Sequence, residues 1–308
     1  MKRLSTGLLR FTGAACLLCL IFHQVLFDLF RYSLGSNLYS HVLLVPFVSG
    51  WFVWQRRESL AIVLHGPLES NAGLWRQLLA PGMVLLLLVG LWVTIDPLQF
   101  GVLLNRNDHL SLMVFIFVTC LLLLHVLTLG RACFRASLFP LLFLYFMMPI
   151  PGWLLHWINV ALQHATAFVL AGLLKLTGTP TFWNGLTFHL PGLTMEVAEE
   201  CSGIRSTLVL LITALVGAML FLRKPWKRSV LVASFFPIAA LRNAARITTI
   251  AMLTIHVDPS YFHGPVHKQG GPPFFVLSLL PLFAIMIILR RGEHMGRGVD
   301  EAEGARDE

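Results

Sequence analysis

The residues best suited to chemistry form one polar stretch, 199–206, directly before a long apolar run. The stretch holds a thiol, Cys201, beside two carboxylates, an arginine and a glycine. Polar and ionisable groups at a membrane boundary carry a desolvation cost that ordinary packing does not explain, so they indicate function. Cys201 is therefore a candidate nucleophile at the outer end of a membrane-spanning helix.

The position of Cys201, at or just before the first turn of that helix, favours the thiolate. Free backbone N–H groups and the positive end of the helix dipole both stabilise an anion there, and Ser202 and Gly203 are plausible cap residues. Glu199 and Glu200 act in the opposite sense, because nearby anions destabilise a thiolate. A nucleophilic cysteine therefore needs a cation nearby. The alternative for a lone cysteine is the role of a small buried hydrophobe.

Candidate cations occur in a later apolar segment, which contains Arg242, Asn243 and Arg246. Arg246 follows Arg228 by roughly 18 residues, or about 27 Å of helix, which brings it to the depth of Cys201. Positions i and i+4 share a helix face, so the two arginines lie on one side. An arginine near a helix end can instead snorkel to lipid headgroups. The adjoining asparagine favours an inward polar site.

Three histidines, His256, His263 and His267, follow in one loop that faces the same end. A histidine there can act as general base and acid near neutral pH. His267 precedes 268–271 and the last apolar helix, which would hold it near the membrane surface, and His263 is the alternative. No HExxH motif or CxxC pair supports a metal site, so no metal or cofactor is expected.

A cysteine, a histidine and an arginine together suit acyl transfer. The thiolate attacks a carbonyl, the histidine moves the proton, and the arginine stabilises the oxyanion or aligns the partners.

The composition indicates a membrane protein with several spans. Of 308 residues, 56% are hydrophobic and 12% are charged, whereas soluble domains carry roughly 25% charged residues. The net charge of +8 could suggest nucleic acid. However, the basic residues form short clusters between apolar runs, and such clusters are topology signals. The lipid bilayer is therefore the expected partner, and nucleic acid is not.

The apolar runs predict about eight membrane-spanning helices with both termini and all basic clusters inside, which gives an all-α polytopic fold. The run 153–176 is long enough to cross, but its polar residues recur at helical spacing. This spacing favours an amphipathic helix on the outer face, with a crossing or a re-entrant hairpin left open. Alternation at 186–190 predicts a short outer strand or hairpin. The predicted spans are 8–30, 38–54, 78–95, 110–129, 137–150, 207–222, 229–250 and 273–289.

The segments predict one integral-membrane domain over residues 1–291. Residues 292–308 are charged and glycine-rich, which predicts a disordered cytoplasmic tail. Because the basic clusters lie inside, Cys201 starts its helix from the outer side.

The motifs at 197–206 and Asn243-Ala244-Ala245-Arg246, with His267 and the glycines before the last helix, resemble those of the exosortase/archaeosortase family. These proteins are membrane-embedded cysteine transpeptidases. Secondary matches are Ser40-His41 and 149–153, and the likeness covers about residues 20–290. The cysteine, arginine and histidine motifs, occurring in this order along the chain, are fairly specific for the family.

The resemblance implies an enzyme of the cytoplasmic (inner) membrane whose site faces the periplasm. It would remove C-terminal sorting signals of the PEP-CTERM-like type from exported proteins: a Pro-Glu-Pro-like motif, a transmembrane helix and a basic tail. The upstream fragment would form a thioester with the cysteine and pass to an acceptor. The catalytic residues would be Cys201, Arg246 and His267, with His263 as the alternative histidine, and the supporting residues Asn243, Arg205, Glu199 and Arg242.

A transporter or channel is the alternative function. It predicts polar residues spread through several helices and helices broken at the midplane. Here the polar groups cluster at the outer end of the last three segments, as a surface-facing site requires. A catalytically retired scaffold of the same fold is a third reading, which the intact cysteine, arginine and histidine disfavour.

Overall fold

A computed structural model describes residues 2–36, 38–65, 72–95, 105–199, 203–262 and 271–304. Within these ranges nearly all regular structure is helical, which confirms the predicted all-α class apart from one small sheet. The chain divides into two compact units, Met1–Leu154 and Leu155–Glu308. This division falls inside the domain predicted for 1–291, and the boundary at 291 stays a prediction.

The first unit is organised around α6, a long helix that is kinked at Gly130, where φ is 86° and ψ is 168°. Its residues Met113, Val114 and Val118 have no exposed surface, because α1, α2, α4 and α5 pack around it. In lipid, close van der Waals packing holds such a core together. The α-helices of this unit are α1 (Lys2–Ile21), α2 (His23–Gly35), α3 (Val45–Gln55), α4 (Arg57–His65), α5 (Ala72–Ile95), α6 (Arg106–Ala136) and α7 (Leu138–Phe143), with 3₁₀ helices at Ser40–Leu44 and Leu144–Met147.

The structure differs from the predicted segments in this unit. The span predicted at 8–30 is broken near Phe22, where the helix pair bends by 70°. His23 Nδ1 lies 2.9 Å from the Leu20 carbonyl at the break, and a side chain inserted into the backbone ladder is a known cause of kinks. The span predicted at 38–54 is a 3₁₀ helix followed by the 11-residue α3.

A polar cluster at the start of α6 holds the turn before the next helix. Asn107 Nδ2 donates to the Ile150 carbonyl at 2.7 Å, and Ser111 Oγ donates to the Pro149 carbonyl at 2.6 Å. The Asp108 carboxylate accepts the Gly152 N–H at 2.6 Å, which satisfies a free donor at a helix N-terminus. This cluster fixes where the following helix begins.

The second unit combines long helices with a three-stranded antiparallel meander in the order β1-β2-β3. Phe188 of the meander has no exposed surface and belongs to one core cluster with Leu170 and Ala244, so the sheet is anchored on two helices. The elements are α8 (Gly152–Leu176), β1 (Phe182–Asn184), β2 (Thr187–Leu190), β3 (Leu193–Glu196), α9 (Ile204–Phe221), α10 (Pro225–Ala233), α11 (Phe235–His256), a 3₁₀ helix at Pro259–Phe262, and α12 (Gly271–Gly304).

The meander confirms the strand predicted at 186–190 and extends it. β2 pairs with β1 through Phe182 and His189 and with β3 through Thr187 and Glu196. The third strand, β3, ends directly before the polar stretch. The chain therefore leaves the sheet at Glu196 and enters the candidate site.

The far end of α12 is tied to the start of α10. The Glu293 carboxylate accepts the backbone N–H groups of Arg223 and Lys224 at 3.1 and 2.9 Å. Lys227 Nζ donates to the Leu289 carbonyl at 2.7 Å. α12 continues to Gly304, so it includes most of the tail for which composition predicts disorder.

Among the described residues, five helices are long and apolar enough to cross a membrane, or six if the bent α1–α2 pair is one span. A multi-pass membrane protein is therefore supported, and the predicted count of eight is not confirmed. Two of the predicted segments contain only shorter apolar helices, Leu79–Gly90 and Leu138–Met147.

Helix α8 is one of the five, so a crossing by this segment fits its length and hydropathy. Its predicted polar stripe does not lie on one exposed face. His156 and His164 are exposed, but Asn159 and Gln163 are buried. The two amides thus face other parts of the protein, and the predicted placement of this helix on the outer face stays a prediction.

Candidate active site

The turn that starts α9 is the best-defined part of the polar stretch. Gly203 is the residue that caps this helix, with φ 64° and ψ 28°, which confirms its predicted capping position. Its carbonyl accepts three hydrogen bonds from α9: the Thr207 N–H at 3.0 Å, the Thr207 hydroxyl at 3.0 Å and the Ser206 hydroxyl at 2.9 Å. The turn is therefore tightly bonded to its own helix.

Arg242 of α11 binds the same turn from the side. Its Nη2 lies 3.2 Å from the Gly203 carbonyl oxygen and 3.2 Å from the Thr207 hydroxyl. The guanidinium also donates to Asn243 Oδ1, at 2.9 Å from Nη2 and 3.3 Å from Nε. Arg242 is 7% exposed and Asn243 is 2% exposed. Both side chains therefore face the interior of the protein, as the sequence predicts.

This contact requires a glycine at 203 for two reasons. A positive φ near 64° is a conformation that residues with a Cβ adopt only at a cost. A Cβ at this position would also lie 2.5 Å from Asn243 Oδ1 and 2.7 Å from Arg242 Nη2. Both the backbone conformation and the close approach of α11 depend on the missing side chain.

The chain before the polar stretch is fixed by α8. Gln163 Nε2 donates to the Val197 carbonyl at 2.9 Å, and the Val197 N–H donates to the Leu186 carbonyl at 3.0 Å. Gln163 is 7% exposed and Val197 is 1% exposed, so this anchor is dry. Next to it, His156 Nδ1 lies 3.7 Å from the Glu199 carboxylate on the surface, where an ion pair contributes little.

The cysteine itself lies between these two anchors. Cys201, with Glu200 and Ser202, is outside the described residues, as are His263 and His267. The choice between the two histidines therefore stays a prediction, and so does the nucleophile. One residue separates Cys201 from Gly203 in the chain.

The remaining predicted residues are placed as follows. Arg246 is half-buried one turn beyond Arg242 on the same face of α11, Arg205 is exposed on the first turn of α9, and His256 is exposed at the end of α11. Arg242 bonds to the turn after the cysteine. Among the described residues, no three His, Cys, Asp or Glu side chains could share a metal ion.

Two contributors to the site were not predicted as site residues, Gln163 and Thr207. Gln163 is one of the polar residues of 153–176 whose helical spacing favours an amphipathic helix on the outer face. Its neighbours at helical spacing, Asn159 and Thr166, are buried as well, and a run of three short polar side chains on one face is the pattern that would have indicated an inward polar seam.

We expect Gly203→Ala to destabilise the site. The left-handed conformation costs about 1–2 kcal/mol for alanine, and the methyl group would push Arg242 and Asn243 away. The thermal unfolding midpoint of the purified protein in detergent should fall. The matched control is Gly217→Ala within α9, where the new methyl would meet only Met286 Sδ at 3.6 Å and helix propensity favours alanine. Equal midpoints for the two variants would contradict this role of Gly203.

We expect Gln163→Leu to weaken the anchor at Val197. The buried carbonyl would lose its donor, which costs about 1–3 kcal/mol, and the chain before Cys201 would become less ordered. Backbone hydrogen exchange at 195–198, measured by mass spectrometry, should rise. His164→Leu changes the exposed neighbour and should leave the exchange as it is; unchanged exchange in Gln163→Leu would refute the anchor.

The residues of the site lie within a region that matches one protein family. The family described as transmembrane exosortase matches residues 33–284, a region that includes the cysteine stretch 199–206, the arginine segment 242–246 and His267. Comparisons with curated proteins and with solved structures find no match. The family match spans well over half of the chain and confirms the resemblance seen in the motifs. This chain therefore belongs to the transmembrane exosortase family.

Proposed function

We propose that this protein is a cysteine transpeptidase that processes C-terminal sorting signals of the PEP-CTERM-like type on exported proteins. Membership of the family implies processing of sorting signals by a membrane transpeptidase. The observation that carries the finer proposal is the buried guanidinium of Arg242, bonded to the turn that follows Cys201.

The contacts of Arg242 support an anion at this turn. Its described hydrogen-bond acceptors are a backbone carbonyl, a hydroxyl and an amide oxygen, all of them neutral. A buried cation is stabilised by a nearby negative charge. The Cys201 thiolate, adjacent in the chain, is a suitable counter-charge, and it would receive the cation that the sequence requires to offset Glu199 and Glu200.

In the proposed reaction the Cys201 thiolate attacks the carbonyl carbon of the scissile peptide bond. The C–N bond then breaks, the amine of the sorting tail leaves with a proton supplied by His267 or His263, and the upstream fragment remains as a thioester. An acceptor nucleophile, which is water, a lipid or a polysaccharide hydroxyl, loses its proton to the histidine and attacks the thioester. Thiolate is released.

The arginines take two different roles in this proposal. Arg246 stabilises the oxyanion that forms in each attack, because charge developing in a site that excludes water is strongly stabilised by a fixed cation. Arg242 positions the turn through its hydrogen bonds to Gly203, Thr207 and Asn243 and supplies the positive charge beside the thiolate. Asn243 in turn holds the Arg242 guanidinium.

The family match favours this enzyme over the transporter or channel reading. The proposed location is the cytoplasmic membrane, with both termini inside and the site on the periplasmic side. The basic clusters support that orientation, because positively charged loops remain on the cytoplasmic side. The proposed partners are exported proteins that end in the motif, an apolar helix and a basic tail.

Cys201→Ala should abolish processing. A tagged reporter with such a tail, expressed in the native host, should keep its full length, because no thioester can form. Cys19→Ala replaces an exposed cysteine in α1, outside the site, and should process the reporter as the wild type does. Trimming of the reporter by the Cys201→Ala strain would refute the cysteine mechanism.

The proposed orientation predicts that Cys201 reacts from outside the cell membrane. In a variant whose other four cysteines are replaced by alanine, a membrane-impermeant maleimide should label intact spheroplasts at Cys201. A variant that also lacks Cys201 provides the background. If Cys201 is labelled only after the membrane is disrupted, the proposed periplasmic orientation of the site is wrong.

A further inference from the structure

An apolar groove of about 380 Å³ lies between α11 and α12. Its walls are open: Leu241 is 47% exposed and Leu277 is 56% exposed. The best candidate span of α12 has only 17% of its residues buried, against 50% for α6. The groove is lined by Ile238, Leu241, Arg242 and Ala245 of α11 and by Phe274, Leu277, Ser278, Leu280 and Pro281 of α12.

Two polar groups interrupt this apolar lining. Arg242 Nη1 is buried and has no acceptor among the described residues. Pro281 lies inside α12 and has no N–H, so the Leu277 carbonyl lacks the donor that the residue four positions later normally supplies. Unpaired polar groups are costly in hydrocarbon. The groove thus combines apolar walls with one unpaired donor and one carbonyl that has no intrahelical N–H at residue 281.

This combination fits a transmembrane helix better than a lipid chain. An acyl chain could fill the apolar volume but has neither donors nor acceptors along its length. The N-terminus of a helix carries four N–H groups without intrahelical partners, and the residues before it carry free carbonyls. One such N–H could pair with the Leu277 carbonyl, and one such carbonyl could accept from Arg242.

The small residues of the groove support the same occupant. Ala245 and Ser278 both line it, and Ser278 satisfies its hydroxyl by donating to the Phe275 carbonyl at 2.6 Å. Small side chains at helix–helix contacts in membranes let two backbones approach closely. A third helix could therefore pack against both α11 and α12.

We propose that this groove receives the transmembrane helix of the substrate's sorting tail, with the N-terminal end of that helix beside Arg242. The assignment rests on the proposed function, because only that function supplies such a helix. Arg242 also bonds to Gly203, two residues after Cys201. A helix seated in the groove would thus present the residues before it, where the scissile bond lies, to the turn that carries the nucleophile.

A larger side chain in the groove should weaken substrate binding and leave the rate of the chemical step nearly unchanged. We expect Ala245→Leu to raise the KM about tenfold, equivalent to about 1.4 kcal/mol, with kcat within about twofold. The assay uses purified protein in detergent and a tagged reporter that ends in a Pro-Glu-Pro-like motif, an apolar helix and a basic tail. Ala161→Leu adds the same side chain at an exposed position of α8 and should leave KM unchanged. Equal KM values for the two variants would overturn the assignment.

Photo-crosslinking provides a readout that does not depend on turnover. p-Benzoylphenylalanine replaces Leu277 in the groove, or Phe168 on the exposed face of α8 as the control, each in the Cys201→Ala background. We expect the reporter to crosslink at 277 at least tenfold more than at 168. Equal yields, or a lipid adduct alone at 277, would overturn the assignment.

The two proposals fail in different ways. If Cys201→Ala still trims the reporter, the proposed function is wrong. If trimming requires Cys201 but position 277 gives no reporter crosslink, the function stands and the groove assignment is wrong.

Discussion

The hydrogen bond from Arg242 to the Gly203 carbonyl is the interaction on which the candidate site depends. A guanidinium that is 93% removed from solvent carries a large desolvation cost, which only good hydrogen bonds and a favourable charge environment offset. Here the bonds go to a helix cap, a hydroxyl and an amide. Because the cap has no side chain, α11 can approach it closely enough for this geometry to form.

Two anchors of different kinds fix the chain on either side of Cys201. On one side, an uncharged amide of α8 holds the end of the meander at Val197. On the other, a cation of α11 holds the cap at Gly203. The carbonyls of both anchor residues are bound by side chains from other helices.

The sequence was sufficient to predict the helix cap at Gly203, the inward side of Arg242 and Asn243, and the strand at 186–190. These features depend on local chemistry: a glycine before an apolar run, polar groups on one helix face, and alternation. The inward amide of Gln163 depends on a partner 34 residues away in the chain, and the bend near Phe22 depends on one side chain that bonds to a carbonyl of the preceding turn; neither follows from the apolar pattern alone. Composition also predicts disorder after residue 291, which stays a prediction; Glu293, near the start of that segment, bonds to the backbone before α10.

Those bonds also determine which face α12 presents some distance away. Rotation and translation are coupled along a helix, at about 100° and 1.5 Å per residue, so a slip by one residue would turn Leu277 and Pro281 away from α11. Lys227 at the Leu289 carbonyl and Glu293 at the α10 N–H groups prevent such a slip. They lie some twelve or more residues from Leu277, roughly 18 Å along the axis. The bonds made at Leu289 and Glu293 of α12 thus fix the rotation of the apolar face that lines the groove.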